Sequence, residues 1–156
     1  PKHNDHDLFE LLILESFQAG LSWITVLKKR ENFRKAFDNF EVKKVANYND
    51  EKVAELLSNS GIIRSKNKIL SAINNAKIFI EMQKEFGSFS NYIWSFTDNK
   101  VIKNTTGEII TSSPLSDKIS KDLKKRGMKY VGSVIIYSYL QAIGVIDDHD
   151  KECFKY

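Results

Sequence analysis

The sequence is short of the features that disulfide scaffolds and membrane spans require. Its 156 residues include one cysteine, Cys153, and two prolines. A single cysteine excludes an internal disulfide framework and suits a reducing compartment. No apolar run of about 18 residues occurs, so a transmembrane helix is excluded, and no signal-peptide pattern opens the chain. The single cysteine is compatible with a reducing cytosol, and the length fits one domain.

The composition that remains is typical of a folded globular protein. Hydrophobic residues make up 42% and charged residues 28% of the chain, and a chain of this length buries roughly two-thirds of its unfolded surface. The net charge of +4 slightly favours an anionic partner. Two basic triplets occur, at 28–30 and 124–126. Each triplet is as compatible with a solvated helix face as with a contact to an anionic partner.

Apolar residues recur at helical spacing along most of the chain, which predicts an all-α protein of about eight helices. The predicted helices cover 7–19, 23–37 capped by Ser22, part of 49–59, 65–86, 90–96, 116–125 capped by Ser116, and 132–143 ending at Gly144. Residues 97–115 are rich in Thr, Asn, Ser and Gly and are predicted to form a loop with a short extended piece at 108–111. We expect the chain, 1–156, to be one domain with two helical lobes around a cleft.

Glu15 interrupts a helix face that is otherwise apolar. The other members of that face, by helical spacing, are Leu8, Leu11, Leu12 and Ala19. A carboxylate on such a face is costly unless it is paired or lines a wet pocket. The sequence leaves two interpretations open: a buried ion pair with a lysine or arginine from elsewhere, or a functional site.

The segment from Gln18 to Trp23 is predicted to be a tight junction between two helices, close to Glu15. Trp23 is either a core residue, the usual fate of a tryptophan, or the wall of a flat pocket. A carboxylate beside an aromatic wall suits a planar, cationic ligand that forms hydrogen bonds.

Two glycines five residues apart, Gly127 and Gly132, separate two predicted helices. A short turn that leads into a helix presents backbone N–H groups at the helix N-terminus, which is a natural phosphate site. Lysines flank this turn. The alternative is an ordinary helical hairpin with solvated lysines, and the glycine spacing favours the phosphate site.

His149 and Cys153 have the spacing of two metal ligands on one helical turn. A structural zinc site needs four ligands, so the pair alone does not predict a metal.

Together these residues resemble the 3-methyladenine DNA glycosylase I family, bacterial repair enzymes of the helix-hairpin-helix superfamily. The resemblance runs from about Leu8 to Cys153. Its most specific part is Glu15 followed by 18–33, QAGLSWITVLKKRENF. Further support comes from 61–64, from Asn75 with Ala76, and from 123–132.

The resemblance implies a monofunctional N-glycosylase of the bacterial cytoplasm. Such an enzyme flips N3-methyladenine out of double-stranded DNA and hydrolyses its bond to deoxyribose, which leaves an abasic site. We expect it to act as a monomer. The alternative is a helix-hairpin-helix module that binds DNA without catalysis.

The resemblance also implies roles for individual residues. Glu15 and Trp23 fall on the family's base-recognition glutamate and stacking tryptophan, and we add Gln18 to the base-binding residues because it stands close to them. Gly20 and Leu21 are expected near the gap left by the flipped nucleotide. The DNA contacts expected in the turn between the last two predicted helices, and at the start of the second of them, are Gly127, Lys129, Tyr130, Gly132 and Ser133.

Asp147 is a second catalytic candidate beside Glu15. Many glycosylases of the superfamily place a catalytic aspartate at a comparable point after the hairpin helix. The alternative is that Asp147 caps a helix.

The resemblance implies a structural zinc ion in complete family members, and no cofactor for catalysis. His149 and Cys153 resemble the C-terminal half of that zinc site. The family's other two ligands, and aromatic residues of its base pocket, lie in a segment upstream of Pro1. We therefore expect zinc in a complete protein and no full zinc site in the chain as given.

Overall fold

A computed structural model of the chain describes residues 1–18, 22–103 and 110–147. Within these ranges it contains nine α-helices, one 3-10 helix and two short strands, which confirms the predicted all-α class. The elements are α1 (Asp5–Gln18), α2 (Trp23–Lys28), α3 (Arg30–Ala36), the 3-10 helix (Asp38–Phe40), α4 (Val42–Ala46), α5 (Asp50–Leu57), α6 (Lys66–Phe86), α7 (Phe89–Ser95), β1 (Ile102–Lys103), α8 (Pro114–Lys125), α9 (Ser133–Ala142) and β2 (Ile146–Asp147). None of the helices described here is long and apolar enough to cross a membrane.

The core is built around α1, which is buried along most of its length. Every residue from Leu8 to Phe17 is buried, and the helix contacts α2, α6, α7 and α9. Aromatic rings fill the space on two sides of it: Phe9 lies 5.2 Å from Phe79, and Phe17 lies 5.0 Å from Phe33, between ring centroids. Glu15 is therefore part of the molecule's most central helix.

The predicted helix over 23–37 is wrong as a single element. Its start is confirmed, because the Ser22 hydroxyl accepts a hydrogen bond from the Thr25 N–H at 3.2 Å. The helix breaks at Lys29, whose N–H donates to the Val26 carbonyl, three residues back, at 3.1 Å. This tighter turn ends α2, and α3 begins at the next residue.

The predicted cap of α8 is also wrong, because Ser113 and not Ser116 begins the helix. The Ser113 hydroxyl accepts from the Ser116 N–H at 3.2 Å, and the Ser116 hydroxyl accepts from the Ser113 N–H at 2.8 Å. This reciprocal pair is a capping box, and Pro114 occupies the first helical position that suits proline.

The predicted loop over 97–115 contains one strand that the sequence pattern missed. β1 pairs in parallel with β2, with Ile102 opposite Ile146 and Lys103 opposite Asp147. A two-residue strand is too short to show alternation, and its partner is distant in sequence. Of the extended piece predicted at 108–111, residues 108 and 109 lie outside the described residues, and residues 110 and 111 form no strand.

Candidate active site and nucleic-acid interface

Glu15 lies in the last turn of α1 and is only 4% exposed. Tyr139 of α9 is fully buried, and its hydroxyl donates to the Leu8 carbonyl on the same helix at 2.9 Å. Burial raises the pKa of Tyr139 well above its ordinary value, and the charges of Asp5 and Glu15 raise it further. Glu15 thus places a carboxyl group in the protein interior, on the same helix that the Tyr139 hydroxyl contacts.

A buried ion pair of the kind considered for Glu15 is formed by Glu10, on the same helix. Glu10 is 2% exposed, and its Oε2 accepts hydrogen bonds from the Nε atoms of Arg30 at 2.8 Å and Arg34 at 2.9 Å. The hydrogen bond with Glu10 is the main reason that the pKa of Arg34 is raised. The pair fixes α3 against α1. Sequence analysis missed it because nothing local links Glu10 to positions 20 and 24 residues away.

The C-terminal end of α1 is held by a lysine from α6. The Lys68 ammonium donates to the Phe17 carbonyl at 3.0 Å, where the helix dipole favours a cation. The last turn of α1 has no basic residue of its own. Burial lowers the pKa of Lys68 below its ordinary value. This contact fixes the turn that carries Glu15 and the half-buried Gln18.

The junction that follows α1 is only partly described. Trp23 is the first residue of α2, and the stacking role expected of its side chain stays a prediction. Gly20 and Leu21, expected beside the flipped nucleotide, lie outside the described residues.

Helices α8 and α9 are joined by residues Gly127–Gly132, which we call the hairpin. Two of its residues have left-handed backbones: Gly127 with φ +102° and Tyr130 with φ +57°. Glycine adopts this conformation without penalty. Tyr130 needs support from its surroundings. The Ser16 hydroxyl shares its one hydrogen between the Leu12 carbonyl at 2.9 Å and the Tyr130 carbonyl at 3.3 Å.

The backbone of the hairpin has the features of an anion site. Among the described residues, no acceptor receives a backbone hydrogen bond from the N–H groups of Tyr130, Val131 or Gly132. These groups precede α9, a ten-residue helix whose N-terminus carries partial positive charge. A Cβ placed on Gly132 would meet no described atom within 4 Å. The glycine therefore keeps open space that another molecule can occupy.

The side chains of the hairpin differ in what they offer a ligand. Lys129 is exposed, and with the half-buried Tyr130 it lines a groove of about 520 Å³ against α6. Ser133 donates its hydroxyl to Asp117 Oδ1 at 2.5 Å and lies 2.8 Å from the Ser116 hydroxyl. The Ser133 hydroxyl therefore joins α8 to α9, and the DNA contact expected of this residue stays a prediction.

The basic triplet at 124–126 divides into two kinds of residue. Lys124 and Lys125 are exposed. Arg126 bonds both oxygens of Glu85 at 3.1 Å and Asp122 at 2.9 Å, and lies over the Phe86 ring at 5.0 Å. The hydrogen bond with Glu85 is the largest cause of a raised pKa at Arg126. Arg126 thus anchors α8 to α6, and only the two lysines form a solvated face.

Asp147 lies in β2, half-buried and opposite Lys103. Its catalytic role stays a prediction. The residues that follow it, His149 and Cys153 included, lie outside the described residues, so the zinc prediction concerns a part of the chain on which the structure gives no geometry.

One group of possible metal ligands occurs within the described ranges, formed by His6, Asp7 and Glu10 with ligand atoms within 4.8 Å of one another. The Glu10 carboxylate already serves Arg30 and Arg34. Two guanidinium groups already neutralise this carboxylate and would repel a metal cation, so this group of residues does not fit a metal ion.

Solved structures match this fold over nearly the whole chain. A crystal structure of 3-methyladenine DNA glycosylase I matches with a TM-score of 0.92 and 45% identity, covering 100% of this chain and 87% of that one. A structure on 3-methyladenine recognition by the Staphylococcus aureus enzyme matches with a TM-score of 0.93 and 36% identity, over 98% and 83%. The fold is therefore that of the all-α DNA glycosylases.

The sequence comparisons narrow this class to one family. A family model described as methyladenine glycosylase matches residues 1–156. The Escherichia coli (strain K12) protein named DNA-3-methyladenine glycosylase 1 is 46% identical over 100% of this chain and 85% of its own length. The chain belongs to the methyladenine glycosylase family.

Proposed function

We propose that the chain excises N3-methyladenine from alkylated double-stranded DNA and leaves an abasic site. The observation that carries the proposal is the contact between the Glu15 turn and the hairpin. Ser16, the next residue after Glu15, hydrogen-bonds the Tyr130 carbonyl. The buried Glu15 carboxylate and the residue that contacts the hairpin backbone are thus neighbours on one helix. Family membership and the names of the relatives support the same activity.

The chemistry needs little acid catalysis, because methylation at N3 makes the base cationic. The base leaves C1′ of the deoxyribose as neutral 3-methyladenine, taking the electron pair of the bond. An oxocarbenium-like state develops at C1′ as this bond breaks, and water then bonds to C1′ and loses a proton to solvent. The protein's task is to flip the base out of the stack, hold the cation and exclude normal adenine.

We assign the base-binding roles to Glu15, Trp23 and Gln18. Glu15 accepts a hydrogen bond from the base and stabilises its positive charge, while the Trp23 ring stacks on it. Asp147 remains the second catalytic candidate. We further propose that the enzyme works as a monomer with two lobes around the base, and that the α8–hairpin–α9 unit is a helix-hairpin-helix element holding the DNA backbone.

Gly132→Ala tests the hairpin as a phosphate site. The substitution introduces no contact within the described protein, so the melting temperature should change by only a few degrees. Affinity for undamaged duplex DNA should fall about tenfold, because the added methyl group occupies the space through which a phosphate approaches. Fluorescence anisotropy with a labelled duplex measures this. Wild-type affinity in the Gly132→Ala protein would remove Gly132 from the interface.

Release of free base from methylated DNA tests the proposed activity itself. A chain that binds DNA and releases no base would instead be the non-catalytic DNA-binding module.

A further inference from the structure

Asn75 of α6 is fully buried and uses both ends of its amide on one residue of the hairpin. Its Oδ1 accepts from the Lys129 N–H at 2.9 Å, and its Nδ2 donates to the Lys129 carbonyl at 2.9 Å. The side chain thus pairs with the hairpin backbone as a neighbouring strand would. Only an amide side chain both donates and accepts in this geometry.

Asn74, the preceding residue, donates to the Gly127 carbonyl at 2.9 Å. We call Asn74 and Asn75 together the amide clamp. Two serines complete the set of side chains on hairpin carbonyls: Ser16 bonds Tyr130, and Ser120 bonds Val131 at 2.6 Å. Side chains from α1, α6 and α8 thus bond the carbonyls of four hairpin residues.

We propose that the amide clamp positions the hairpin for phosphate binding, an inference that rests on the proposed function. Neither asparagine needs to touch DNA. By bonding the carbonyls of Gly127 and Lys129, the clamp fixes the backbone whose next N–H groups, at 130–132, stay available to a phosphate. Asn74 and Asn75 are therefore positioning residues.

The backbone conformation explains why a clamp is needed. Gly127 and Tyr130, on either side of the clamped residue, both have positive φ. A non-glycine residue in this region is strained and persists only where its surroundings hold it. Without the clamp, the hairpin is free to relax into other turns, and the N–H groups at 130–132 lose their common geometry.

Asn75→Leu, which keeps the approximate volume and removes both hydrogen bonds, tests the proposal. We expect about tenfold weaker binding to undamaged duplex DNA, because charge-assisted hydrogen bonds to phosphate are weakened. We expect the Lys129 contact with phosphate to be lost with the hairpin geometry, so the slope of log K against log salt should become shallower by about 0.9. With methylated DNA, KM should rise while kcat changes less than about twofold. Binding is measured by anisotropy over a salt series, well below the melting temperature.

Met82→Ala is the matched control, because Met82 is buried in the core on the same helix. It should lower the melting temperature and leave the affinity and the salt slope unchanged. An Asn75→Leu protein with wild-type affinity and slope would overturn the proposal. So would a loss of affinity that Met82→Ala reproduces at equal melting temperature.

Asn74→Ala keeps the test decisive if Asn75→Leu does not fold, since Asn74 is only half-buried. It should weaken binding about threefold, as expected when one hydrogen bond is removed, and an unchanged affinity overturns the proposal.

Lys129→Ala distinguishes a failure of this inference from a failure of the proposed function. If the wild type shows no salt-dependent affinity, the proposed function fails. Suppose that the wild-type affinity depends on salt and that Lys129→Ala lowers both the affinity and the salt slope. If both clamp variants then bind as the wild type does, only the positioning role fails.

Discussion

Replacing Glu15 with glutamine is expected to remove most excision of N3-methyladenine while the fold and the affinity for undamaged DNA stay close to wild type. The substitution keeps the shape of the side chain and removes its charge. A preorganised charge in a buried site contributes about 10²–10³-fold to the rate, and Glu15 is 4% exposed. We expect kcat/KM to fall by that factor. Single-turnover release of the base measures it.

Glu10→Gln is the matched control for this experiment. Glu10 is also a buried carboxylate of α1, and its charge is bound by Arg30 and Arg34. Removing it should lower the melting temperature, because two cations lose their partner, with excision by the folded protein retained. If Glu15→Gln keeps the wild-type rate and loses stability as Glu10→Gln does, Glu15 is a structural ion-pair residue and not part of the base pocket.

Trp23→Ala should lower kcat/KM about 10–100-fold, with unchanged affinity for undamaged DNA. Stacking of a base on an aromatic ring contributes about 1–3 kcal/mol, and the cationic charge of the methylated base adds to it. Trp23→Phe keeps an aromatic face and should recover much of the loss. Excision kinetics on methylated DNA, with anisotropy on undamaged DNA, separate the two effects.

The other tryptophan provides the comparison. Trp94 is 1% exposed, donates its Nε1–H to the Lys2 carbonyl at 2.7 Å, and stacks on His3 with 4.4 Å between ring centroids. Trp94→Phe should therefore lower the melting temperature and spare the excision rate per folded molecule. A Trp23→Ala protein that behaves like Trp94→Phe would show that Trp23 is a core residue.

Helix positions could be predicted from the sequence because their signals are local. Ser22 and Ser65 were identifiable as the starts of helices, and in the structure their hydroxyls accept hydrogen bonds from N–H groups three residues on. One error arose where two local signals compete. Ser113 and Ser116 are both residue types that cap helices. Pro114 favours Ser113 as the cap, because proline is suited to the first position of a helix.

The candidate site was predictable only in part, because its contacts join distant positions. Glu15 is conspicuous as a charge on an apolar face, whatever its partners. Lys68 reaches a carbonyl 51 residues away and Asn75 binds the hairpin 54 residues away. No periodicity or spacing in one sequence encodes such pairs. The sequence thus indicates which residues are unusual, and the fold shows what holds them.

The measurement that tests the account most directly is the release of free base from DNA treated with a methylating agent. The purified chain is incubated with the DNA, the polymer is precipitated, and the soluble bases are separated by chromatography. We expect 3-methyladenine to appear in the soluble fraction with the wild-type chain, and about 10²–10³-fold more slowly with Glu15→Gln. A wild-type chain that binds this DNA and releases no 3-methyladenine would contradict it.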